Sequence, residues 1–391
     1  MNKNIDLKQN IYLPYMLISL PFTYMSFILP IYSKELGMDS VQTAGLYSVF
    51  SFIVLLIRPL LGKTCDKIGR KMLLIAAIII YIISFVFYSI SSSPNILYAA
   101  RIIQGFASPM LSISMYCLIA DYSSEKIGER FGLLETYSVR GGVIGIIIAV
   151  AILNTVSDFM NSWKLFLYIC CFANLIAILY IAFRVKETKE KTNVFKKEKT
   201  KFSKLLVKLL VVEFVLCCFS SMLFPLFMLY LQDKFSASLY EIGFTYMLPL
   251  IVAGILAKYI GRISDRQGRI KSMIIALVIG AVTFIIFPSI NNVLASAIVY
   301  CIINFSDTLF NTASNALFSS ETHIEDRGTL VGTYSTVSSL GAVIGPIVGG
   351  ILYKNVSISA PFYLCAFGYI LTLVIVIILF KDYYLFEKRF S

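Results

Sequence analysis

Residues 62–71 have the sequence Gly-Lys-Thr-Cys-Asp-Lys-Ile-Gly-Arg-Lys, and residues 261–271 have the related sequence Gly-Arg-Ile-Ser-Asp-Arg-Gln-Gly-Arg-Ile-Lys. The two copies lie 199 positions apart, which is about half of the 391-residue chain. Each copy occupies a short charged gap between two long apolar segments. A repeat at this distance predicts two similar halves, each of them a bundle of membrane helices.

The composition agrees with a membrane protein, because 58% of the residues are hydrophobic and only 14% are charged. A helix needs roughly 20 apolar residues to cross a bilayer. The continuous apolar character of the segments disfavours β-barrel strands, which alternate over about 10 residues. No cleavable signal sequence is expected at the start. Twelve apolar runs, numbered 1 to 12 below, lie near residues 10–32, 43–61, 72–91, 95–119, 131–153, 162–183, 204–231, 240–260, 272–290, 293–318, 329–351 and 359–380.

The formal charge of +12 could indicate a nucleic-acid partner, but the placement of the basic residues argues against it. If both termini are cytoplasmic, 27 of the 34 Lys and Arg residues fall on the cytoplasmic side. The opposite side carries only four, which are Lys34, Lys164, Lys234 and Lys354. This asymmetry is the one that membrane insertion produces, and it predicts cytoplasmic termini in a cell membrane.

A basic stretch at the midpoint divides the chain into an N-terminal bundle (1–183), a cytoplasmic linker (184–203) and a C-terminal bundle (204–391). Ten Lys and Arg residues lie between positions 184 and 208. The linker is interpreted as a solvated segment that can also contact anionic membrane lipids, at about 1 kcal/mol per basic residue near the surface. The fold class is therefore all-α, with twelve transmembrane helices in two pseudo-symmetric six-helix bundles.

Twelve predicted helices, a basic linker and two copies of Gly-x-x-x-Asp-(Arg/Lys)-x-Gly-Arg in matching gaps resemble the major facilitator superfamily, and most of all its twelve-helix drug:proton antiporter branch. The resemblance covers nearly the whole chain. It implies that the motif holds the cytoplasmic side closed, with Asp66 facing the N-terminus of helix 11. Arg70 is placed to pair with Asp121 at the end of run 4. The gating residues expected from the two copies are Gly62, which ends run 2, with Asp66, Gly69, Arg70, Asp121, Gly261, Asp265, Gly268 and Arg269.

Two further strings match motifs of the family. Run 4 contains Arg101-Ile-Ile-Gln104-Gly105, in which the resemblance implies a role for Arg101 in proton movement; the alternative is an arginine that extends to the membrane surface. Run 11 contains Gly341-x-x-x-Gly345-Pro346-x-x-Gly349-Gly350, a string associated with antiporters when it occurs in helix 5. The run-5 copy keeps only Gly141 and Gly145, so a close-packing face is the alternative interpretation.

Charges present in one half only point to function, because the fold needs a structural residue in both copies. At an offset of 200, Asp307 corresponds to Ala107 and Arg101 to Cys301. Asp307 lies about 14 residues into run 10, roughly 20 Å deep, where a carboxylate can bind and release a proton. The proton-coupling candidates are Asp307, Arg101, Glu135, Arg140 and Glu213. Glu213 lies nearer the cytoplasm than the resemblance implies for a helix-7 carboxylate.

Run 10 carries a polar stripe, since Asn304, Asn311 and Asn315 share one helical face with Asp307 nearby. Such a stripe must face protein or water rather than lipid. The candidate cavity residues are Gln104, Asn304, Asn311, Asn315 and Tyr24. The single histidine excludes a multi-histidine metal site, so no cofactor and no metal are expected.

These features predict a proton-coupled exporter of small lipophilic or cationic compounds that works by alternating access as a monomer. Its partners are the small-molecule substrate, protons and membrane lipids. The alternative is an importer or exchanger of a sugar or other small metabolite. Sugar importers tend to line their cavity with Asn, Gln and Trp, whereas this chain has one tryptophan, Trp163. A non-transporting membrane sensor is a remote alternative, and no enzyme motif such as HExxH supports catalysis.

Overall fold

The computed structural model describes residues 11–122, 127–156, 158–188, 203–320 and 327–381. All regular elements in these ranges are helical. The helices are α1 (Leu13–Ile18), α2 (Leu20–Glu35), α3 (Ser40–Ile68), α4 (Arg70–Ser89), α5 (Pro94–Tyr122), α6 (Ile127–Thr155), α7 (Phe159–Arg184), α8 (Lys204–Ser220), α9 (Phe227–Phe235), α10 (Leu239–Gln267), α11 (Arg269–Ile286), α12 (Val293–Ser320), α13 (Arg327–Asn355) and α14 (Ala360–Leu379).

Two of the twelve predicted runs consist of two helices each. Run 1 breaks at Ser19, because Pro21 follows and its ring favours the first turn of a new helix, α2. Run 7 breaks between α8 and α9, where Pro225 lies in a stretch of turns. With α1–α2 and α8–α9 each counted as one segment, the described helices give the twelve predicted segments. Within the described ranges, ten segments are long and apolar enough to span a membrane by length and composition.

The expected end of run 2 at Gly62 is wrong. Helix α3 continues to Ile68, so residues 62–68 form its last turns rather than a connecting gap. Cys65 in this extension is buried and packs with Leu61 and Leu73. The end of the apolar run marks where the chain leaves the bilayer, whereas the helix ends where the backbone leaves helical geometry.

The backbone leaves that geometry at one glycine in each copy of the repeated motif. Gly69 has φ +108° and Gly268 has φ +91°, values that L-residues rarely adopt. Each glycine is the single residue between two helices, α3 and α4 or α10 and α11. The carbonyl oxygen of each accepts the N–H of the residue four positions later, Leu73 or Ser272, which starts the following helix.

The chain forms two compact units, one made of Met1–Met38 and Val49–Lys196, the other of Asp39–Ser48 and Lys197–Ser391. The second unit therefore includes the first residues of α3. In the first unit α4 packs against α5 and α7, and α2 packs against α6. In the second unit α11 packs against α12 and α14, and α8 packs against α13.

Each unit has an aromatic cluster in its core. In the first unit, the fully buried Trp163 stacks on Tyr32 with ring centroids 4.6 Å apart and donates from Nε1 to the carbonyl of Tyr88 at 3.1 Å. In the second unit, Phe287 and Phe362 stack at 4.9 Å beside Tyr230. Outward faces carry large exposed apolar side chains such as Phe172 and Ile378. Exposed apolar surface of this kind is suited to lipid rather than water.

Candidate functional site

The first copy of the repeated motif is held by two residues from the chain just after α7. Arg70 Nε lies 3.0 Å from Asp121 Oδ2, so the ion pair expected from the sequence is present. Thr188 donates its hydroxyl to the same carboxylate oxygen at 2.6 Å. The Glu187 carboxylate accepts the backbone N–H groups of Arg70 and Lys71 at 2.8 and 3.2 Å. Glu187 and Thr188 were not predicted from the sequence, because nothing in a basic linker marks which residue reaches a helix N-terminus.

Gly69 has no side chain, and this leaves the space that the Glu187 carboxylate occupies. A Cβ atom at position 69 would lie 2.5 Å from Glu187 Oε2, in addition to the strain of a positive φ. The N-terminus of α4 offers free N–H groups and a partial positive charge, both of which favour a carboxylate. The motif glycine therefore serves two purposes, a turn and a close approach.

Part of the predicted gating set lies outside what the structure describes. The side chains of Asp66 and Asp265, and the surroundings of Gly62, are in this group. Gly261 lies inside α10 with open space around it, and Arg269 begins α11. The gating role of both copies stays a prediction.

Arg101 is buried on α5. It is 8% exposed, its Nη1 donates to Gln104 Oε1 at 2.6 Å, and its guanidinium lies 4.7 Å from the centre of the Phe50 ring. Tyr88 donates to the same Gln104 oxygen at 2.9 Å. Gln104 thus accepts hydrogen bonds from Arg101 and Tyr88 in the first unit. Its role in a substrate cavity stays a prediction.

Glu135 and Arg140 on α6 have different partners. Tyr116 donates its hydroxyl to Glu135 Oε1 at 2.9 Å, while the Arg140 guanidinium lies 5.3 Å from the Tyr137 ring. This agrees with their five-residue spacing, which places them on offset faces. Tyr24 is 1% exposed and packs on Phe166, so it belongs to the aromatic core.

A cavity of about 230 Å³ lies within the second unit and brings together Glu213 of α8 and Asp307 of α12. The sequence did not predict that these two carboxylates share a cavity, because the position of Glu213 in run 7 indicated a place nearer the cytoplasm. Of the predicted asparagines, only Asn311 lines this cavity; Asn304 donates to the carbonyl of Tyr300, and Asn315 is exposed elsewhere on α12. The remaining lining residues are Leu216, Cys217, Ser220, Phe310 and Tyr369.

Hydroxyl groups from two other helices hold the cavity carboxylates. Tyr334 and Ser338 of α13 donate to Glu213 Oε2 and Oε1 at 2.5 and 2.7 Å. Tyr369 of α14 donates to Asp307 Oδ1. These three residues were not predicted from the sequence, because a tyrosine or serine in an apolar run does not show which helix it faces.

The glycines of runs 5 and 11 are sites of close helix packing. A Cβ at Gly141 or Gly145 would meet the backbone of Met16 or Leu20, and a Cβ at Gly345 would meet the carbonyl of Cys218. A Cβ at Gly341, Gly349 or Gly350 would lie 2.8–2.9 Å from its nearest neighbour, which is also closer than a real Cβ contact, and Pro346 lies inside α13. Packing is thus observed for both strings, while their part in rocking motions stays a prediction.

Among the described residues, no group of three or more His, Cys, Asp or Glu side chains could hold a metal ion. His323 lies outside those residues.

Comparison with known protein families identifies the chain. The family model described as "Major Facilitator Superfamily" matches residues 11–320 and 209–390. The chain belongs to the major facilitator superfamily. It is therefore a multi-pass membrane transporter of small molecules rather than an enzyme.

Relatives within this superfamily include drug-resistance proteins. The chain is 25% identical over 394 residues to the quinolone resistance protein NorA of Staphylococcus aureus (strain COL), covering 98% of both chains. It is 22% identical over 372 residues to multidrug resistance protein 1 of Bacillus subtilis (strain 168), covering 91% of this chain and 93% of that protein. These names support the drug:proton antiporter branch.

Solved structures of the superfamily share the fold. The nucleoside transporter NupG superimposes with a TM-score of 0.75 at 15% identity, over 97% of this chain and 100% of that one. The human organic anion transporter MFSD10 gives a TM-score of 0.68 at 16% identity, over 93% and 97% of the two chains.

Proposed function

We propose that this protein exports small lipophilic or cationic compounds in exchange for protons, by alternating access. The observation that carries the proposal is the cavity shared by Glu213 and Asp307 on membrane helices. An ionised carboxylate in a membrane interior is costly unless a cation or a proton balances it. Two such groups around one cavity favour binding of either a cationic substrate or protons, and that competition is the basis of exchange.

The remaining lining of the cavity suits an amphiphilic cation. Phe310 and Leu216 supply apolar contact area, while Asn311 and Ser220 supply polar groups. An aromatic ring also attracts a cation over its face, by about 0.5–2 kcal/mol. The relatives named for multidrug and quinolone resistance support this substrate class.

Several finer assignments follow from the same proposal. The protein acts as a monomer in the cell membrane with both termini cytoplasmic, and its bundles correspond to residues 1–183 and 204–391. Asp307 and Glu213 carry the coupling protons, with Arg101, Glu135 and Arg140 contributing from the first unit. The two motif copies stabilise the closed cytoplasmic side, and the glycines of runs 5 and 11 let the helices rock.

Proton movement in everted membrane vesicles tests the proposal. An acid-inside gradient is imposed, and tetraphenylphosphonium, ethidium, a quinolone or a sugar is added. We expect a lipophilic cation to collapse the pH gradient with the wild-type protein. Asp307→Asn should slow this collapse at least tenfold, because the exchangeable proton is lost.

Asp233→Asn is the matched control, because Asp233 also accepts a tyrosine hydroxyl, from Tyr353 at 2.6 Å, but does not line the cavity. It should retain exchange. If no cation moves protons while a sugar equilibrates equally with wild type and Asp307→Asn, the protein is an importer or exchanger and the export proposal is wrong.

A further inference from the structure

Each of the two cavity carboxylates accepts hydrogen bonds from a side chain on a neighbouring helix. Glu213 on α8 accepts one hydroxyl on each oxygen, and both donors lie on α13. Tyr334 and Ser338 are four residues apart, so they lie one turn apart on the same face of that helix. Asp307 on α12 has a similar donor, Tyr369, on α14.

These donors are held in place by their own surroundings. The Tyr334 ring lies 5.2 Å from the Phe318 ring, and Tyr369 is 1% exposed with its ring 5.0 Å from that of Phe284. Gly280 provides the space for Tyr369, since a Cβ there would lie 2.5 Å from the tyrosine ring. Ring packing thus orients the hydroxyls of Tyr334 and Tyr369 towards the two carboxylates.

Charge changes the strength of these hydrogen bonds. An ionised carboxylate only accepts hydrogen bonds, so ionised Glu213 can accept one from each of the two α13 hydroxyls. Once protonated, one oxygen must donate, and hydrogen bonds to a neutral acid are about half as strong as those to a carboxylate. Ser338 has a second acceptor, the Tyr334 carbonyl at 3.2 Å, to which its hydroxyl can turn. Protonation therefore loosens the link between α8 and α13.

Other titratable groups around Glu213 are few within the described residues. Cys217 lies on its own helix, Tyr334 faces it from α13, and Asp307 and Tyr369 share its cavity from α12 and α14. Around Asp307 the corresponding groups are Tyr369 and Cys365 of α14 and Tyr300 of its own helix. None of the described residues that line the cavity is basic.

We propose that Tyr334, Ser338 and Tyr369 are positioning residues that make the packing of α13 and α14 depend on the charge of the two cavity carboxylates. The inference rests on the proposed function, because it supposes that protons and a cation compete at this cavity. The hydroxyls stabilise the ionised carboxylates when no cation is bound. A bound cation or a proton takes over that role and releases the helix.

Binding of tetraphenylphosphonium to the full chain in lipid nanodiscs tests this role at pH 6 and pH 8. In Tyr334→Phe the carboxylate loses a donor that a cation must otherwise displace, so the affinity at pH 8 should be equal to wild type or higher. At pH 6 protons compete more effectively, and the affinity should fall. The dissociation constant at pH 6 divided by that at pH 8 should be about tenfold larger for Tyr334→Phe than for wild type.

Two controls come from the same helix. Tyr353→Phe removes a hydroxyl bonded to Asp233, and Ser339→Ala removes one bonded to the Ser335 carbonyl at 2.8 Å; neither touches the cavity. Both should keep the wild-type pH ratio. Ser338→Ala provides a milder variant if Tyr334→Phe does not fold. An equal change in affinity at both pH values would show that Tyr334 acts only in packing, and the inference would be wrong.

Thermal unfolding without any substrate separates this inference from the proposed function. The difference in melting temperature between wild type and Tyr334→Phe should be larger at pH 8 than at pH 5, whereas the difference for Tyr353→Phe should be the same. If wild type binds no cation but this pH dependence is present, the proposed substrate class is wrong and the positioning role stands. A difference that is independent of pH overturns the positioning role.

Discussion

The Glu187 carboxylate accepts the backbone N–H of Arg70 at 2.8 Å, and so a residue at the start of the linker caps the helix that begins in the repeated motif. The neighbouring Thr188 adds a hydrogen bond to Asp121, the partner of the Arg70 side chain. The linker is thus attached to the first unit where it leaves α7. Lys71 Nζ also donates to the Ala182 carbonyl at 2.7 Å, which links the start of α4 to the end of α7.

Glu187→Gln should destabilise the first unit by about 1 kcal/mol, because the N-terminus of α4 loses a negative charge and one strong acceptor. Thermal unfolding in detergent can be followed by the fluorescence of Trp163, the chain's only tryptophan, which is buried in that unit. Glu35→Gln, on an exposed glutamate at the C-terminal end of α2, is the control and should leave the stability unchanged or slightly higher, because a negative charge is unfavourable at a helix C-terminus. Equal melting temperatures for the two variants would contradict the capping role.

Gly69→Ala should lower the free energy of unfolding by about 2 kcal/mol or more, which exceeds the effect of losing the Glu187 cap alone. The new Cβ would be strained at φ +108° and would displace the Glu187 carboxylate. Gly132→Ala is the matched control, since Gly132 is helical with nothing within 4 Å of an added Cβ, and there alanine should stabilise by up to about 1 kcal/mol. The same fluorescence measurement distinguishes the two; a neutral Gly69→Ala would mean that Glu187 moves away without cost.

Gly345→Ala should weaken the contact between α8 and α13 by roughly 1–3 kcal/mol, because the added methyl group meets the Cys218 carbonyl and the Ser221 hydroxyl oxygen. Gly332→Ala on the same helix has open space around it and should leave the stability unchanged or slightly higher. Circular dichroism during heating measures both. The packing argument fails if the two variants unfold at the same temperature.

The pair formed by Asp39 and Lys354 should persist in acidic medium. Lys354 Nζ lies 2.8 Å from Asp39 Oδ2, and this hydrogen bond, with that from the Gln42 backbone, lowers the pKa of Asp39 below its usual value of 3.8. A lowered pKa means that the pair's stabilisation is complete above the ordinary pKa and is lost only as the pH falls through the lower value.

Lys354→Gln should therefore reduce stability by about 0.2–1 kcal/mol, equally at pH 5 and pH 8, as expected for an exposed ion pair. Unfolding curves at the two pH values check this, with Lys164→Gln as a control, since no ion pair of Lys164 occurs among the described residues. A destabilisation that disappears between pH 8 and pH 5 would show that Asp39 titrates in that range and that its pKa is not lowered.

Local features of the sequence predicted the fold well. Apolar runs of about 20 residues marked the twelve membrane segments, since the need to bury backbone polar groups in lipid depends only on the local chain. The helix boundary at Gly62 was wrong for the same reason, because hydropathy marks the bilayer edge and not the end of the helix. The Arg70–Asp121 pair was anticipated only because the family resemblance pointed to it.

The sequence by itself determined the membrane segments and the presence of carboxylates inside apolar helices. The tertiary structure decided which groups those carboxylates meet. Glu213 and Tyr334 are 121 residues apart in the chain, and their contact depends on how α8 and α13 rotate about their axes and approach at Gly341 and Gly345. Such a rotation results from packing over the whole bundle, so no local pattern of residues contains it.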